Sequence, residues 1–163
     1  LAEYELKQYR QRLACMNQNS YLFNDTVREN ICLSDEIFQD VISRVAKQCS
    51  FDDTLLRNNY PIGSNGSRLS GGQKQKVALA RMLARDRCLY LLDESTSSMD
   101  MNSERLLFES ILAKCNDKII MMIAHNPAFL KYMNRILYLT EDGSLHDYAT
   151  YEDFISDHPG FYG

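Results

Sequence analysis

The sequence predicts an α/β fold in which a mainly helical lobe accompanies an incomplete, mainly parallel β-sheet. Two apolar runs, Cys88–Leu92 and Ile119–Ala124, have the length and composition of parallel strands that are buried on both faces. Helical patterns alternate with these runs after residue 85, whereas residues 20–85 are mainly helical. With 163 residues, 45% of them apolar and 25% charged, the chain has the size of one domain spanning residues 1–163. Neither run approaches the roughly 18 apolar residues of a membrane span.

The N-terminal half is predicted to contain one strand and then a helix. Residues 1–18 indicate a short helical or turn segment that leads into a strand at Leu13–Asn17, and Gln18–Asp25 form a polar loop. From Ser34 the pattern is helical, with acidic residues in the first turn, where the helix dipole favours anions. The inner face of this helix comprises Ile37, Val41, Ile42 and Val45. Asn58–Ser67 form a loop, because proline and glycine interrupt the pattern there.

The remaining predicted elements alternate with the two apolar runs. One helix covers Ser70–Ala84 and another covers Asn102–Cys115. Met121 and Met122, in the second run, are expected in the core. Strands at Ile136–Thr140 and Ser144–Asp147 flank a short acidic turn with a glycine, which predicts an antiparallel hairpin.

Charge and cysteine content exclude several classes of protein. Eighteen basic and 22 acidic residues give a net charge of −4, which argues against a general nucleic-acid binder. Basic residues do cluster on and after the predicted Ser70–Ala84 helix, where we expect a solvated outer face; they are Lys74, Lys76, Arg81, Arg85 and Arg87. The five cysteines form no C-x-x-C pair, and an odd number of thiols favours a reducing compartment.

The strongest chemical signal is Leu69-Ser70-Gly71-Gly72-Gln73 at the start of a predicted helix. Two glycines behind a serine leave backbone N–H groups open to an anion, and the helix dipole adds positive potential. The alternative is a capped helix start with Ser70 as the N-cap residue.

Polar residues follow three of the predicted strands. Asp93 and Glu94 end the first apolar run, at the sheet edge where open α/β sheets bind ligands. One carboxylate can hold Mg²⁺, while its neighbour takes a proton from an attacking water. His125 ends the second run and Gln18 follows the Leu13–Asn17 strand, so both could reach the same edge. Taken singly, these residues are better explained as a solvated acidic turn, a structural histidine and an exposed loop glutamine.

In this order, Gln18, Ser70-Gly71-Gly72-Gln73, Asp93-Glu94 and His125 resemble the motifs of the ATP-binding-cassette (ABC) ATPases. The resemblance runs through the Q-loop, signature motif, Walker B strand, D-loop (Ser97-Ser98-Met99-Asp100) and switch histidine, and it covers essentially the whole chain. Asn19–Ile31 looks most like the exporter branch. The resemblance implies a partial P-loop NTPase-like fold. Residues 20–85 would hold the Q-loop, helical subdomain and signature helix, and residues 86–163 would hold the Walker B strand, D-loop, switch histidine and C-terminal hairpin.

The resemblance also implies ATPase chemistry with Mg²⁺ and ATP. In a head-to-tail dimer of two nucleotide-binding domains, Ser70, Gly71, Gly72 and Gln73 would contact the γ-phosphate of nucleotide held by the opposite subunit. Asp100 would help to couple the two sites.

The catalytic roles implied by the resemblance fall on the strand ends. Asp93 would support Mg²⁺, Glu94 would be the general base, and Gln18 would sense the metal and the attacking water. His125 would stabilise the transferred phosphoryl group, in keeping with catalysis by positioning and electrostatics.

The partners and the location follow from the same resemblance. A transmembrane domain would dock its coupling helix on the helical lobe, including Phe23, at the cytoplasmic face of the membrane. No nucleic acid is expected as a partner.

One motif of the family is missing from the sequence. No G-x-x-x-x-G-K-[ST] phosphate loop (Walker A) occurs, and the family has this loop upstream of the position of Gln18. The chain therefore resembles the C-terminal two-thirds of an ABC domain, and we expect it to be inactive alone. The missing segment supplies a central strand, so we also expect exposed strand edges and apolar faces. Asn126, where exporters commonly have arginine, is a smaller departure.

Three functions are compatible with these observations. The first is the motor part of an ABC exporter. The second is a non-hydrolysing regulatory module that lends its signature motif to the ATP site of a partner. The third, a soluble ABC ATPase acting on DNA or ribosomes, is disfavoured because the sequence contains no coiled coil.

Overall fold

A computed structural model describes residues 5–17, 19–33, 36–51, 53–57, 59–93, 105, 108–109, 111–113, 117–123 and 127–161. The chain divides into two compact units, residues 1–123 and residues 124–163. The first unit contains the following elements: α1 (Leu6–Arg10), β1 (Leu13–Met16), α2 (Val27–Cys32), α3 (Gln39–Gln48), α4 (Asp53–Arg57), α5 (Gly71–Leu83), β2 (Leu89–Asp93) and β3 (Ile119–Ile123). A 3₁₀ turn at Ser64–Gly66 precedes α5.

Strands β1, β2 and β3 form a parallel sheet with β2 in the middle. Met16 is opposite Leu92, and Asp93 is opposite Ile123, so the three carboxyl ends lie at one edge of the sheet. This arrangement confirms the predicted fold class, an α/β fold with a partial parallel sheet and a helical lobe.

The core of the first unit lies between α5 and the sheet. Seven residues of α5 are buried, and Leu79, Leu83 and Tyr90 are fully enclosed. The hydroxyl of Tyr90 donates to the carbonyl of Arg85 at 2.7 Å and accepts from the amide of Arg87 at 3.2 Å. The polar end of this buried ring is therefore satisfied, as burial requires.

The sheet is covered more fully on one face than on the other, contrary to the prediction of doubly buried strands. Tyr90 and Leu92 of β2 are buried, while its other face is half-buried. In β3, Ile119, Met121 and Ile123 are 66%, 55% and 57% exposed, so placing Met121 in the core was wrong. Met122 packs against the core as expected. An apolar run indicates that a strand can be buried, but distant parts of the chain determine which elements cover each of its faces.

The expectation of exposed apolar faces is confirmed by the exposed side chains of β3.

The helical lobe differs from the prediction at three helices. Helix α3 begins at Gln39 rather than Ser34. The residue before it, Phe38, has an extended backbone with ψ of 146°, so the helix cannot include Phe38 or continue through it towards Ser34. Helices α2 and α4 were not predicted. Thr26 caps α2, since its side chain accepts from the amide of Glu29 at 3.0 Å.

The remaining described residues contain the predicted helical residues and hairpin, together with a 3₁₀ segment and a last helix that were not predicted. Those between 105 and 113 are helical, with Phe108 and Ile111 buried. The second unit contains a 3₁₀ segment (Pro127–Tyr132), the antiparallel hairpin β4 (Ile136–Leu139) and β5 (Leu145–Tyr148), and α6 (Tyr151–Asp157). Phe154 of α6 is fully buried against the rings of Tyr138 and Tyr148.

Candidate functional site

Helix α5 begins with a reciprocal cap between Ser70 and Gln73. The Ser70 hydroxyl accepts from the Gln73 amide at 3.2 Å, and the side-chain oxygen of Gln73 accepts from the Ser70 amide at 2.8 Å. Ser70 is extended, so the chain enters the helix sharply. The two interpretations of this turn are therefore compatible, because Ser70 caps the helix and the turn still presents donors.

The first turn of α5 keeps several donors for an anion. The amides of Gly71 and Gly72 lie in the positions for which an α-helix supplies no internal acceptor. Neither residue has a side chain to cover these amides, and the helix dipole places positive potential on them. The Ser70 hydroxyl accepts one bond from Gln73 and keeps its own proton for donation. A phosphate group fits this donor set.

The residues before Ser70 hold this turn in place. Asn65 adopts a left-handed conformation, with φ of 49°, and its side-chain oxygen accepts from the amide of Leu22 at 3.3 Å. The Leu69 amide then donates to the Gly66 carbonyl at 2.9 Å. The start of α5 is thus attached to the segment that follows β1.

Asp93 is the last residue of β2 and is exposed at the carboxyl edge of the sheet. The described residues contain no group of three His, Cys, Asp or Glu side chains that could hold a metal ion. Mg²⁺ characteristically takes one or two carboxylates together with waters and substrate phosphates, so an exposed single aspartate at a strand end fits that ion.

Four of the predicted site residues lie outside the described residues: Gln18, Glu94, Asp100 and His125. The parallel sheet does place Met16, Asp93 and Ile123 at one edge, and Gln18, Glu94 and His125 each follow one of these strand ends in the sequence. Their roles remain predictions.

The expectation of a solvated outer face is wrong for two arginines, one on α5 and one just after it. Arg81 and Arg85 are half-buried, and their guanidinium groups donate to backbone carbonyls of the segment at 21–32. Burial lowers the pKa of Arg81, and the nearby charge of Arg85 lowers it further. Helical spacing cannot reveal such contacts, since the acceptors lie about fifty residues earlier in the chain.

Comparison with known proteins defines the class to which this fold and this helix start belong. The family model described as "ABC transporter" matches residues 1–97. The chain therefore belongs to the ABC transporter family.

The similar proteins include transporters and a solved exporter structure. The chain is 37% identical over 151 residues to an ATP-dependent lipid A-core flippase of Pseudoalteromonas translucida, covering 89% of the chain and 26% of the flippase. It is 35% identical to a flippase of the same name from Vibrio parahaemolyticus, covering 96% of the chain and 28% of that protein. The structure of a bacterial Atm1-family ABC exporter with ATP bound matches 96% of the chain and 28% of the exporter chain, with a TM-score of 0.87 and 28% identity.

These matches cover most of this chain but only part of each similar protein. The chain spans about a quarter of the length of the flippases and of the exporter. Among the described residues, no helix is long and apolar enough to cross a membrane.

Proposed function

We propose that this chain is the signature-bearing part of the ATPase motor of an ABC exporter. The observation that carries the proposal is the first turn of α5, where a capped glycine pair offers donors for a phosphate group. The similarity to ATP-dependent flippases and to an exporter structure supports the same assignment.

In the proposed mechanism, the chain acts on nucleotide held by a second ATP-binding domain in a head-to-tail dimer. The Gly71 and Gly72 amides and the Ser70 hydroxyl donate to the γ-phosphate and fix its position. At the ATP site on the carboxyl edge of this chain's own sheet, Asp93 would hold Mg²⁺, which when bound would neutralise phosphate charge. Fixed donors of this kind lower the barrier because they need no reorganisation as charge develops.

The catalytic roles of Glu94, His125, Gln18 and Asp100 belong to the same proposal. Glu94 takes a proton from the attacking water, Gln18 orients that water and the metal, and His125 contacts the transferred phosphoryl group. Asp100 couples the two ATP sites. A transmembrane domain docks on the helical lobe around Phe23, on the cytoplasmic side of the membrane.

The sequence lacks a Walker A loop, so the chain by itself is expected to hydrolyse no ATP.

The test is to add the chain to the ATP-binding domain of the P. translucida flippase and to measure phosphate release. We expect the rate to rise, and Ser70→Arg to abolish the rise, because an added side chain and positive charge occupy the phosphate position. Ser156→Arg, on the exposed face of α6, is the control with the same charge change. An unchanged rate with the wild-type chain would contradict the proposal.

The alternative function is a non-hydrolysing module that lends its signature turn to a partner. Sequencing the coding DNA upstream of Leu1 separates the two. An in-frame G-x-x-x-x-G-K-[ST] supports a motor that hydrolyses ATP itself, whereas a start codon directly upstream supports the lending module.

A further inference from the structure

Arg81 joins helix α5 to the loop at residues 21–26. Its Nε donates to the Asn30 carbonyl at 2.7 Å, and one terminal nitrogen donates to the Tyr21 carbonyl at 2.8 Å. The other terminal nitrogen donates to the side-chain oxygen of Asn30 at 3.0 Å. One planar group therefore bonds the beginning of the 21–26 loop and the helix α2 that follows it.

Asn30 in turn closes the 21–26 loop on itself. This residue is 1% exposed, and its side-chain oxygen also accepts from the Phe23 amide at 2.8 Å. Its side-chain nitrogen donates to the carbonyls of Phe23 and Thr26 at 3.0 and 2.9 Å. Because the donors and acceptors of this amide are used within the loop and by Arg81, the loop conformation and the Arg81 contact depend on each other.

The same loop is attached near the first turn of α5. The Leu22 amide donates to Asn65, and the fully buried Leu22 side chain packs against Gly66, which also contacts Lys74 of α5. From Lys74 to Arg81 the helix rises about 10 Å, so α5 holds the loop at two separated points.

The loop carries two exposed aromatic rings on its outer side. Tyr21 and Phe23 are 57% and 51% exposed, and their rings meet edge to face with centroids 5.3 Å apart. The Arg81 guanidinium lies 5.9 Å from the centre of the Phe23 ring. The group that bonds the loop to α5 therefore lies beside one of the two exposed rings.

We propose that Arg81 is a positioning residue that makes the 21–26 loop and helix α5 move together. Displacement of Tyr21 and Phe23 by a bound partner therefore also displaces the phosphate-binding turn at Ser70–Gln73. Conversely, binding of phosphate at that turn displaces the loop. This inference rests on the proposed function, since it takes Ser70–Gln73 as the part that binds nucleotide.

The chemistry of arginine suits this role better than that of lysine. Three separate acceptors at fixed directions match the planar fork of a guanidinium group, whereas an ammonium group is a single point charge. Among the described residues the structure shows no ion pair for Arg81. Its hydrogen-bond acceptors are two backbone carbonyl oxygens and the side-chain amide oxygen of Asn30. The contact therefore depends on the direction of the hydrogen bonds rather than on a paired charge.

The test measures amide hydrogen exchange in the 163-residue chain, mixed with the ATP-binding domain of the P. translucida flippase. Exchange at Leu22 and Phe23 is compared before and after adding Mg²⁺ and the slowly hydrolysed analogue AMP-PNP. Both amides are hydrogen-bonded to side chains, so their exchange reports the loop conformation. In the wild-type chain we expect complex formation to change their exchange about fivefold or more, the size of a typical coupling between sites.

Arg81→Lys should form the complex with the same affinity but lose this change in exchange, and Arg81→Gln serves as a second variant if the first does not fold. Arg85→Lys is the matched control. Arg85 lies just after the end of the same helix, and its guanidinium group donates to the carbonyls of Ile31, Cys32 and Arg81. Arg85→Lys should retain the change in exchange. It loosens the packing between α2 and α5 in a similar way but leaves the Arg81 bonds in place, so it separates the proposed effect from general loosening.

The possible failures are distinguishable. If the wild-type chain forms no nucleotide-dependent complex, the proposed function fails and this inference fails with it. If the complex forms but exchange at Leu22 and Phe23 does not change, or Arg81→Lys responds like the wild type, the inference alone is overturned. Loss of the response in Arg85→Lys as well would also overturn it, because the effect would then not be specific to Arg81.

Discussion

Gly66 lies so close to Leu22 that a side chain at this glycine would meet it. A Cβ atom on Gly66 would stand 3.0 Å from Cδ1 of Leu22, and the glycine has φ of +64°. Leu22 is fully buried and has little space to move. The glycine thus permits both the left-handed turn and the contact by which the 21–26 loop packs near the start of α5.

Gly66→Ala should therefore lower the free energy of unfolding of the first unit by about 1–3 kcal/mol, combining left-handed backbone strain with overpacking. Urea denaturation measures the loss. In a Leu22→Val background, which lacks the contacted methyl group, the same substitution should cost less. Equal costs in both backgrounds would show that the contact carries no energy.

The Ser70 side chain should have two separable roles, which Ser70→Asp and Ser70→Ala distinguish. Ser70→Ala removes the cap and should cost about 1 kcal/mol of stability in urea denaturation, whereas aspartate is a good N-cap residue and should preserve it. Aspartate would nevertheless repel a phosphate at Gly71 and Gly72, so Ser70→Asp should abolish stimulation of the partner domain. A stable Ser70→Asp chain that still stimulates phosphate release would contradict the assignment of this turn as the phosphate site.

Local signals explain which parts of the fold were predictable. The Ser70–Gln73 cap and the turn before Ser144 are each determined by a few neighbouring residues. The elements beside them, α5 and the β4–β5 hairpin, were therefore predicted with small errors at their ends. The alternation of apolar runs and helices likewise predicted the parallel sheet.

Contacts between distant residues explain what was not predictable. The bonds of Arg81 to Asn30 and Tyr21 span 51 and 60 residues, and no spacing rule connects such positions. The short helix α2 begins at its Thr26 cap and buries Val27, Ile31 and Cys32, and these bonds attach it to α5. The exposed face of β3 depends in the same way on which elements cover it.

Asn30→Ala should be among the most destabilising single substitutions in the helical lobe. It would leave the Phe23 amide and the buried end of the Arg81 fork without their shared acceptor. Buried groups left unsatisfied cost roughly 1–3 kcal/mol each, and we expect a loss of about 2–4 kcal/mol in urea denaturation. The control is Asn59→Ala, at an exposed position, which should change stability little. A loss below about 1 kcal/mol for Asn30→Ala would show that water replaces these bonds.

The ion pair of Arg135 and Asp147 should make the second unit sensitive to acid. The Arg135 guanidinium bonds both carboxylate oxygens of Asp147, and this hydrogen bonding lowers the pKa of Asp147. Since the folded pKa is the lower one, the contribution to stability is present above the unfolded value of about 3.9 and is lost as the pH falls through the folded pKa. A carboxyl NMR titration should show the Asp147 midpoint rising in Arg135→Gln and unchanged in Arg44→Gln. An unchanged midpoint in Arg135→Gln would mean that the pair does not form in solution.

The exposed face of β3 should cause the chain to associate with itself. Ile119, Met121 and Ile123 present apolar side chains along one strand face, and among the described residues β3 pairs with β2 alone. Such a strand is a template for pairing and apolar contact with another chain. Sedimentation velocity of the isolated chain at micromolar concentration should therefore show dimers or larger species. Met121→Lys should shift the distribution towards monomer, since a charge on this face opposes association.

Phe38→Lys is the matched control for that result, because Phe38 is 79% exposed and lies at the start of α3 rather than on the sheet. It removes a similar apolar area and adds the same charge, yet should leave the association unchanged. If both variants reduce association equally, net charge rather than the β3 face governs it. A wild-type chain that sediments as a monomer and melts in one cooperative step would show that the sheet is stable without a further strand beside β3.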